Sequence, residues 1–400
     1  MRPFDGRRIL LGVTGGIASY KSAWLARLLT QAGASVDVVL TRSAREFIGS
    51  VTFEALTGRP VLHELIADGH ALDHIRLAKA AELVVVAPAT ADFLARAAHG
   101  HANDLLAACL LATTAPVLVV PAMNDRMWAN PAVQANCAAL RAMGMAVLEP
   151  GVGPLASPDE GAGQGRMQEP ETIVAHAARL LEPRAKLAGK RVVVTAGPTQ
   201  EPIDPVRYLT NHSTGKMGTA LAAAAWRRGA DVVLVHGPLS ARVPEGDLRT
   251  VPVATTQEMA DAVRREVATA DVLVMAAAPA DFRPAEVASA KIKKQGAAPM
   301  LALVENPDIL ASTRDARKPG CIAVGFALET DDLLEHAARK LERKGLDLIV
   351  ANSAREAGAG FGHDTNRVTV LGRDGSREES GLRPKGEVAD LILDRIEALL

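Results

Sequence analysis

Polar and glycine residues gather directly after apolar, β-branched runs at several points of the chain. GGIASYKS (15–22) follows RILLGVT, Thr41 and Ser43 follow VDVVL, APATAD (87–92) follows LVVV, and PAMNDRMW (121–128) follows VLVV. In a doubly wound parallel sheet, ligands bind beyond the carboxyl ends of the strands, so these loops are expected to converge on one crevice. A glycine turn between a first strand and a first helix is a phosphate position, because backbone N–H groups and the helix N-terminus face the anion. The loop fits neither the dinucleotide fingerprint nor the P-loop, since Tyr20 stands where the second P-loop glycine belongs. Ser19 is a candidate hydroxyl donor to a phosphate. His74, at a helix start in DHIRLAK, is a candidate base near neutral pH.

A second set of such residues follows position 190. The loop TAGPTQEPIDPVRYLTNHSTGKMG (195–218) is long and stiffened by Pro198, Pro202 and Pro205. Long βα loops are usually functional. Its STGK is a poor P-loop, because Thr210 and Met217 occupy the required Gly and Ser/Thr positions. AAAPADFRP (276–284), KIKK (291–294), NPDIL (306–310) and GFALET (325–330) come next, then Lys340 and Lys344 one helical turn apart. Several cations beyond strand ends are what a triphosphate needs for charge neutralisation.

Two stretches with the same plan must position these residues. RRILLGVTGGIASYKSAWLARLLTQAGASVDVVLT (7–41) reads as strand, glycine loop, helix, Gly-Ala turn and strand, and residues 190–237 repeat it with a longer loop. Further apolar runs at 83–88, 117–122, 272–278, 321–327 and 346–352 read as buried strands with helices between them. The expected fold is α/β: two doubly wound parallel-sheet domains, the first flavodoxin-like or Rossmann-like, the second Rossmann-like. Their boundary is expected in LEPRAKLAGK (181–190), giving domains 1–185 and 186–400.

Composition bounds the function classes. The chain has 400 residues, 48% hydrophobic and 23% charged, with 45 basic and 46 acidic side chains for a net charge of −1. That excludes disorder and a global positive field for nucleic acid or membrane, and aromatics at 3% give no base-stacking platform. Cys109, Cys137 and Cys321 form no C-x-x-C pair, which fits a reducing, cytoplasmic compartment. His99 and His101 lack the further ligands of a metal site and are expected in a loop. The uncharged stretch 105–123 approaches the length of a membrane span, but Thr113, Thr114 and Pro116 interrupt it, and it reads as helix, turn and strand.

The first half resembles the flavin-dependent cysteine decarboxylases. The motifs in common are GGIASYK, His74-Ile75, APATAD (87–92), ANDLL (102–106) and PAMNDRM (121–127). The resemblance implies FMN, held by Gly15, Ile17, Ser19, Thr41 and Ser43 about its phosphate and by Pro88, Ala89 and Thr90 about its ring. It implies His74 as base, Asn124 as holder of the substrate carboxylate, and Asn103, Met123, Met127 and Arg166 as further substrate contacts. Oxidation of the cysteinyl thiol to a thioaldehyde would supply the electron sink that an unactivated carboxylate lacks. Decarboxylating members usually carry a cysteine in an L-A-C-G segment, which donates a proton as the ene-thiol is reduced. In LASPDEGAGQGRM (155–167), Ser157 stands in its place and the spacing to the Gly-Arg-Met motif is two residues longer. CO₂ loss with slow or incomplete reduction is therefore expected.

The second half resembles the bacterial phosphopantothenate–cysteine ligases, over residues 190–395, through TAGPTQEPIDPVR, NHSTGKMG, APADFR, KIKK, NPDI and GFALET. Together the halves resemble the bifunctional decarboxylase–ligases of coenzyme A biosynthesis. The resemblance implies 4′-phosphopantothenate, L-cysteine and CTP as substrates, an acyl-cytidylate intermediate, and Mg²⁺ with the triphosphate, Asp281 being a candidate ligand. CTP would meet Ala276, Ala277, Asp281, Lys291, Pro307, Asp308, Ile309, Leu310, Phe326, Lys340 and Lys344. Lys291 would neutralise charge in the first step, and Asn211 would polarise the acyl carbonyl in the second. The residues themselves do not separate CTP from ATP. A homo-oligomer is expected from the family. The alternatives are a flavin domain with an impaired reductive step or with another carboxyl-terminal cysteine substrate.

Overall fold

The computed structural model describes residues 3–66, 71–183, 186–293, 300–329, 333–353 and 358–400. The chain forms two compact units, Met1–Pro183 and Arg184–Leu400. Position 185, where the sequence places the end of the first domain, and Lys294 and Thr330 of the KIKK and GFALET motifs lie outside the described residues.

The first unit runs β1 (Arg8–Val13), α1 (Ser19–Gln31), β2 (Ser35–Leu40), α2 (Ser50–Thr57), β3 (Val61–Leu62), α3 (Asp73–Ala80), β4 (Leu83–Ala89), α4 (Ala91–Ala98), α5 (Leu105–Ala112), β5 (Val117–Pro121), α6 (Asp125–Trp128), α7 (Pro131–Ala142), β6 (Ala146–Val147), β7 (Gly151–Pro154), β8 (Ala162–Arg166) and α8 (Pro170–Leu181). Six strands form a sheet in the order β3-β2-β1-β4-β5-β6, and every pairing is parallel. This is the Rossmann order rather than the flavodoxin one. The strands are apolar throughout because both faces are covered. Ile9, Leu11 and Val13 join the core under α1 and α8, while Leu10 joins the opposite core with α4 and α5. The uncharged stretch expected to be helix, turn and strand is α5 followed by β5. No described helix is long and apolar enough to cross a membrane.

The second unit runs β9 (Arg191–Ala196), β10 (Glu201–Pro202), β11 (Tyr208–Leu209), α9 (Lys216–Arg227), β12 (Asp231–His236), β13 (Arg249–Pro252), α10 (Thr256–Val267), β14 (Val272–Met275), β15 (Phe282–Pro284), β16 (Leu303–Glu305), α11 (Ile309–Ser312), β17 (Ile322–Glu329), α12 (Leu333–Arg343), β18 (Leu348–Ser353), β19 (Thr365–Asn366), β20 (Thr369–Gly372), β21 (Arg377–Glu379), β22 (Arg383–Pro384) and α13 (Lys385–Leu399). Its main sheet has the order β13-β12-β9-β14-β17-β18-β20-β21. The first six strands repeat the Rossmann order in parallel. β20 and β21 extend the edge antiparallel, a departure from the wholly parallel sheet expected. In each unit the strand order reverses beside the first strand, between β1 and β4 and between β9 and β14, so each has a crevice for a ligand there.

Candidate active sites

In the first unit the loops after β1, β2, β4 and β5 do converge. The Thr14 hydroxyl donates to the Pro88 carbonyl at 2.8 Å and accepts the Thr90 N–H at 3.0 Å, joining the glycine loop to APATAD. The Ala87–Pro88 peptide is cis. Gly15 lies so close to Ser43 that any side chain there would strike the Ser43 Cβ and Oγ. Ala122 N–H donates to Ala89 O at 3.1 Å, drawing in the PAMN turn. Helix α1 has no side-chain cap, and its Ser19 and Lys21 N–H groups turn onto the Gly16 and Ala18 carbonyls at 3.0 Å, so what it offers an anion is the positive end of its dipole. These residues fit a flavin phosphate: a bare glycine wall, an uncapped helix start, and the Thr41 and Ser43 hydroxyls 3.3 Å apart. Ile17 is exposed on the same loop.

Two motif residues hold the site together from behind. The Ser19 hydroxyl is buried and donates to the Thr14 and Gly16 carbonyls, at 3.2 and 2.5 Å, closing the loop on itself instead of reaching out of it. Lys21 is buried and donates to Met167 O at 3.0 Å and Glu169 Oε1 at 2.7 Å, fastening α1 to the chain that follows β8. Sequence reasoning gave Thr14 and Lys21 no role.

The hairpin β7–β8 carries the segment with Ser157. Its base is stitched to the PAMN turn: Met123 N–H donates to Gly165 O at 3.0 Å, and only a glycine fits at 165 against the Met123 carbonyl. Its tip curls back to Asn124. Asn124 Oδ1 accepts the Arg126 N–H at 2.9 Å, capping α6, and Asn124 Nδ2 donates to Glu160 Oε1 at 3.0 Å. Glu160 Oε2 accepts the Ser157 N–H at 3.0 Å. The Ser157 N–H and the Asn124 amide hold the Glu160 carboxyl below its usual range. No motif or spacing pointed to Glu160. The remaining substrate candidates are distributed around this turn: Met127 is exposed on α6, and Arg166 donates to Glu169 Oε1 at 3.2 Å. Asn103 Oδ1 accepts from Arg96 at 3.0 Å, beside Asp104, which caps α5.

His74 stands apart from these loops. It lines an apolar cavity of about 490 Å³ with Leu65, Ile66, Ala102, Ala108 and Leu111, and its Nδ1 is buried with no hydrogen-bond partner among the described residues. The two thiols of this unit are not acids near neutrality. Burial pushes Cys109 up to about 12 and raises Cys137 as well.

In the second unit one cavity of about 980 Å³ opens at the carboxyl ends of β9, β14 and β17. It gathers Asn211, Ala276, Ala277, Asp281, residues 307–310, Phe326, Lys340 and Lys344 from five separate segments. Asn211 is pinned: its amide donates to Ala278 O and its Oδ1 accepts the Ser213 N–H at 2.9 Å. Thr195, Thr199 and Asn306 fix the facing loop through Ala277 N–H (3.0 Å), Ala280 N–H (2.9 Å) and Ala280 O (2.9 Å). Lys340 donates to Phe326 O at 2.8 Å, and Lys344 pairs with Asp308 at 3.0 Å. Burial alone would raise the Asp308 carboxyl, but the Lys344 ammonium and the Ala311 N–H outweigh it and hold the group low.

Three findings here differ from the sequence reading or add to it. Lys291 is exposed and is not among the residues lining the cavity. The STGK lysine lines the cavity and is engaged there, since Lys216 donates to Gly362 O at 2.8 Å and pairs with Asp364 at 2.7 Å. Gly218, given no role of its own beyond closing the NHSTGKMG motif, brings α9 against β9: a Cβ there would sit 2.6 Å from Thr195 O and from the Ala196 Cβ. Helix α9, like α1, starts without a side-chain cap. Among the described residues, no group of three acidic, histidine or cysteine side chains is placed to hold a metal ion.

Residues 2–182 match the family model described as flavoprotein, and residues 187–400 that described as DNA/pantothenate metabolism flavoprotein C-terminal domain. The chain is 47% identical over 409 residues to the coenzyme A biosynthesis bifunctional protein CoaBC of Mycobacterium bovis, with 98% of this chain and 97% of that protein covered. It is 45% identical over 404 residues to the protein of that name from Vibrio vulnificus, with both covered in full. Among solved structures, it is similar to the C-terminal domain of a CoaBC protein at 38% identity and a TM-score of 0.46, over 53% of this chain and 96% of that one. It is also similar to a cysteine-to-serine variant of PPC decarboxylase complexed with pantothenoylaminoethenethiol, at 29% identity and a TM-score of 0.39, over 43% of this chain and 96% of that one.

Proposed function

The chain belongs to the coenzyme A biosynthesis bifunctional proteins, a decarboxylase and a ligase in one polypeptide, and we propose that CTP drives the ligation in its second unit and FMN serves the decarboxylation in its first. The observation that carries the ligase reading is the single cavity uniting Asn211 with Lys340, Lys344 and the two loops at 276–281 and 307–310. A carboxylate of 4′-phosphopantothenate placed there attacks the α-phosphate of CTP and releases pyrophosphate. The cysteine amine then attacks the acyl carbon and CMP leaves. Lys340 and Lys344, with Arg339 and Arg343 on the same wall, offset the triphosphate charge. Asn211, oriented by Ala278 and Ser213, stabilises the acyl oxygen as charge develops. Mg²⁺ would enter with the triphosphate, keeping most of its waters, and Asp281 offers a carboxylate at the cavity wall.

In the first unit, the loops at 14–19, 41–43 and 88–90 would hold FMN. Bound there, FMN supplies the redox chemistry that makes the carboxylate a leaving group. The chain's own part is to bind and orient: Asn124 offers its amide N–H groups to the substrate carboxylate without fixing it as a salt bridge would. His74 is the base that the resemblance implies, taking a proton on its imidazole and returning it from the imidazolium. Exposed Ile66, Leu72 and Leu111 around the His74 cavity support a homo-oligomer that covers this face. The three unpaired cysteines support a cytoplasmic setting.

The half-reactions test the ligase assignment. Asn211→Ala is expected to accumulate the acyl-cytidylate, whereas Lys291→Ala slows its formation. Equal loss of both steps in Asn211→Ala, with no trapped intermediate, would remove this division of roles.

A further inference from the structure

One of the two N–H groups of Asn124 Nδ2 is already engaged. The Glu160 carboxylate, from the tip of the β7–β8 hairpin, sits on its Nδ2 at 3.0 Å, and the loop holds that carboxylate through the Ser157 N–H at 3.0 Å. The loop is itself closed by Leu155 N–H on Gly161 O at 2.9 Å and by Glu160 N–H on Ser157 O at 3.0 Å. Asn124 Oδ1 is engaged in capping α6, so its amide N–H groups are what it can offer a ligand. That nitrogen already carries a carboxylate on one N–H, the chemical group that the proposed reading assigns to the substrate at this atom.

We propose that Glu160 is an internal stand-in for the substrate carboxylate: it occupies Asn124 in the empty site, yields it to an incoming carboxylate, and retakes it once that carboxylate has left as CO₂. The inference rests on the reading of Asn124 as the carboxylate holder. Its consequence is selectivity. A ligand with a carboxylate can displace Glu160, whereas the decarboxylated product has nothing with which to hold Asn124 against it. The apparent affinity for substrate is reduced by the fraction of protein whose Asn124 is free, and the return of Glu160 favours product release. Glu160 is thus a specificity-determining residue that acts through Asn124.

The test is a titration of the full-length holoprotein followed by flavin absorbance, which reports the flavin site and not the ligase site. Two probes are used: the substrate with its thiol replaced by hydroxyl, which keeps the carboxylate, and the same compound without the carboxylate. Glu160→Gln retains an oxygen for the Ser157 N–H but turns an N–H₂ toward Asn124, so it keeps the loop and frees the amide. Glu160→Gln and Glu160→Ala are expected to tighten the carboxylate probe ~3–10-fold, the effect of removing one charge-assisted competitor. The probe without a carboxylate should change less than about twofold. A gain in affinity is not an outcome of a damaged fold. Asn124→Ala should weaken the carboxylate probe and abolish the effect of Glu160→Ala in the double variant. If Asn124→Ala weakens the probe but both Glu160 variants leave it unchanged or weaken it, the stand-in role is wrong and the Asn124 assignment survives. If Asn124→Ala leaves the carboxylate probe unchanged, both fall.

Discussion

Thr14 and Pro88 are joined where the strand order of the first sheet reverses: the Thr14 hydroxyl donates to the Pro88 carbonyl at 2.8 Å while accepting the Thr90 N–H. One buried side chain therefore sets the distance between the glycine loop and the APATAD loop, the two walls of the proposed flavin site. Thr14→Val keeps the shape and removes both bonds. The buried Thr90 N–H loses its acceptor, at a cost of about 1–3 kcal/mol. A lower unfolding midpoint and a severalfold weaker retention of FMN, measured by flavin fluorescence, are expected. Unchanged values for both would mean that the loops do not depend on this link.

Gly218→Ala tests the approach of α9 to β9. A methyl at 2.6 Å from Thr195 O forces the helix start outward, and overpacking of this kind costs about 1–3 kcal/mol. CTP affinity and acyl-cytidylate formation should fall, while decarboxylation of supplied 4′-phosphopantothenoylcysteine continues. Full ligase activity in the variant would show that the helix start does not contribute to nucleotide binding.

The Asp308–Lys344 pair gives a pH dependence with a definite sign. The folded carboxyl titrates below its unfolded value, so the contribution of the pair is present above the ordinary carboxylate range. It is lost as pH falls through the lowered folded value. In Lys344→Met the Asp308 midpoint should move upward when followed by carboxyl NMR. A midpoint that stays put would assign the lowering to the Ala311 N–H alone.

Ser157 bears on the reductive half of the decarboxylation. No thiol in this unit can act as an acid near neutrality, since Cys109 is pushed to about 12 and Cys137 is buried and raised. A serine hydroxyl is a far weaker acid than a thiol. CO₂ release should outrun formation of 4′-phosphopantetheine, with a species two hydrogens lighter detectable by mass, and Ser157→Cys should remove that species. Rapid, complete reduction with no lighter species, and no gain in Ser157→Cys, would show that another donor serves the enzyme.

The two sheets were legible because their strands are apolar on both faces and each opening strand is followed by a glycine turn. Those signals are local. Most of what holds the sites is not. Thr14 reaches Pro88 across 74 positions, and Asn124 reaches Glu160 across 36. The β7–β8 hairpin alternates glycine with small and polar residues and has no apolar period to betray it. The antiparallel edge is short: β20 offers only TVLG and β21 is charged throughout, so neither gives an apolar run long enough to stand out. Gly218 stood only as the last letter of NHSTGKMG, whereas it makes a close helix–strand contact against Thr195 and Ala196. Lys291 was grouped with Lys340 and Lys344 by charge and by the KIKK motif of the resemblance, and neither says which cations share a cavity.

The most direct test supplies purified full-length protein with 4′-phosphopantothenate, cysteine and each nucleoside triphosphate in turn, and identifies the products by mass. The account predicts 4′-phosphopantothenoylcysteine, CMP and pyrophosphate with CTP, followed by loss of CO₂ from the same mixture when FMN is bound. Ligation that proceeds with ATP and releases AMP or ADP, or ligated product that keeps its carboxylate in the FMN-loaded protein, would contradict it.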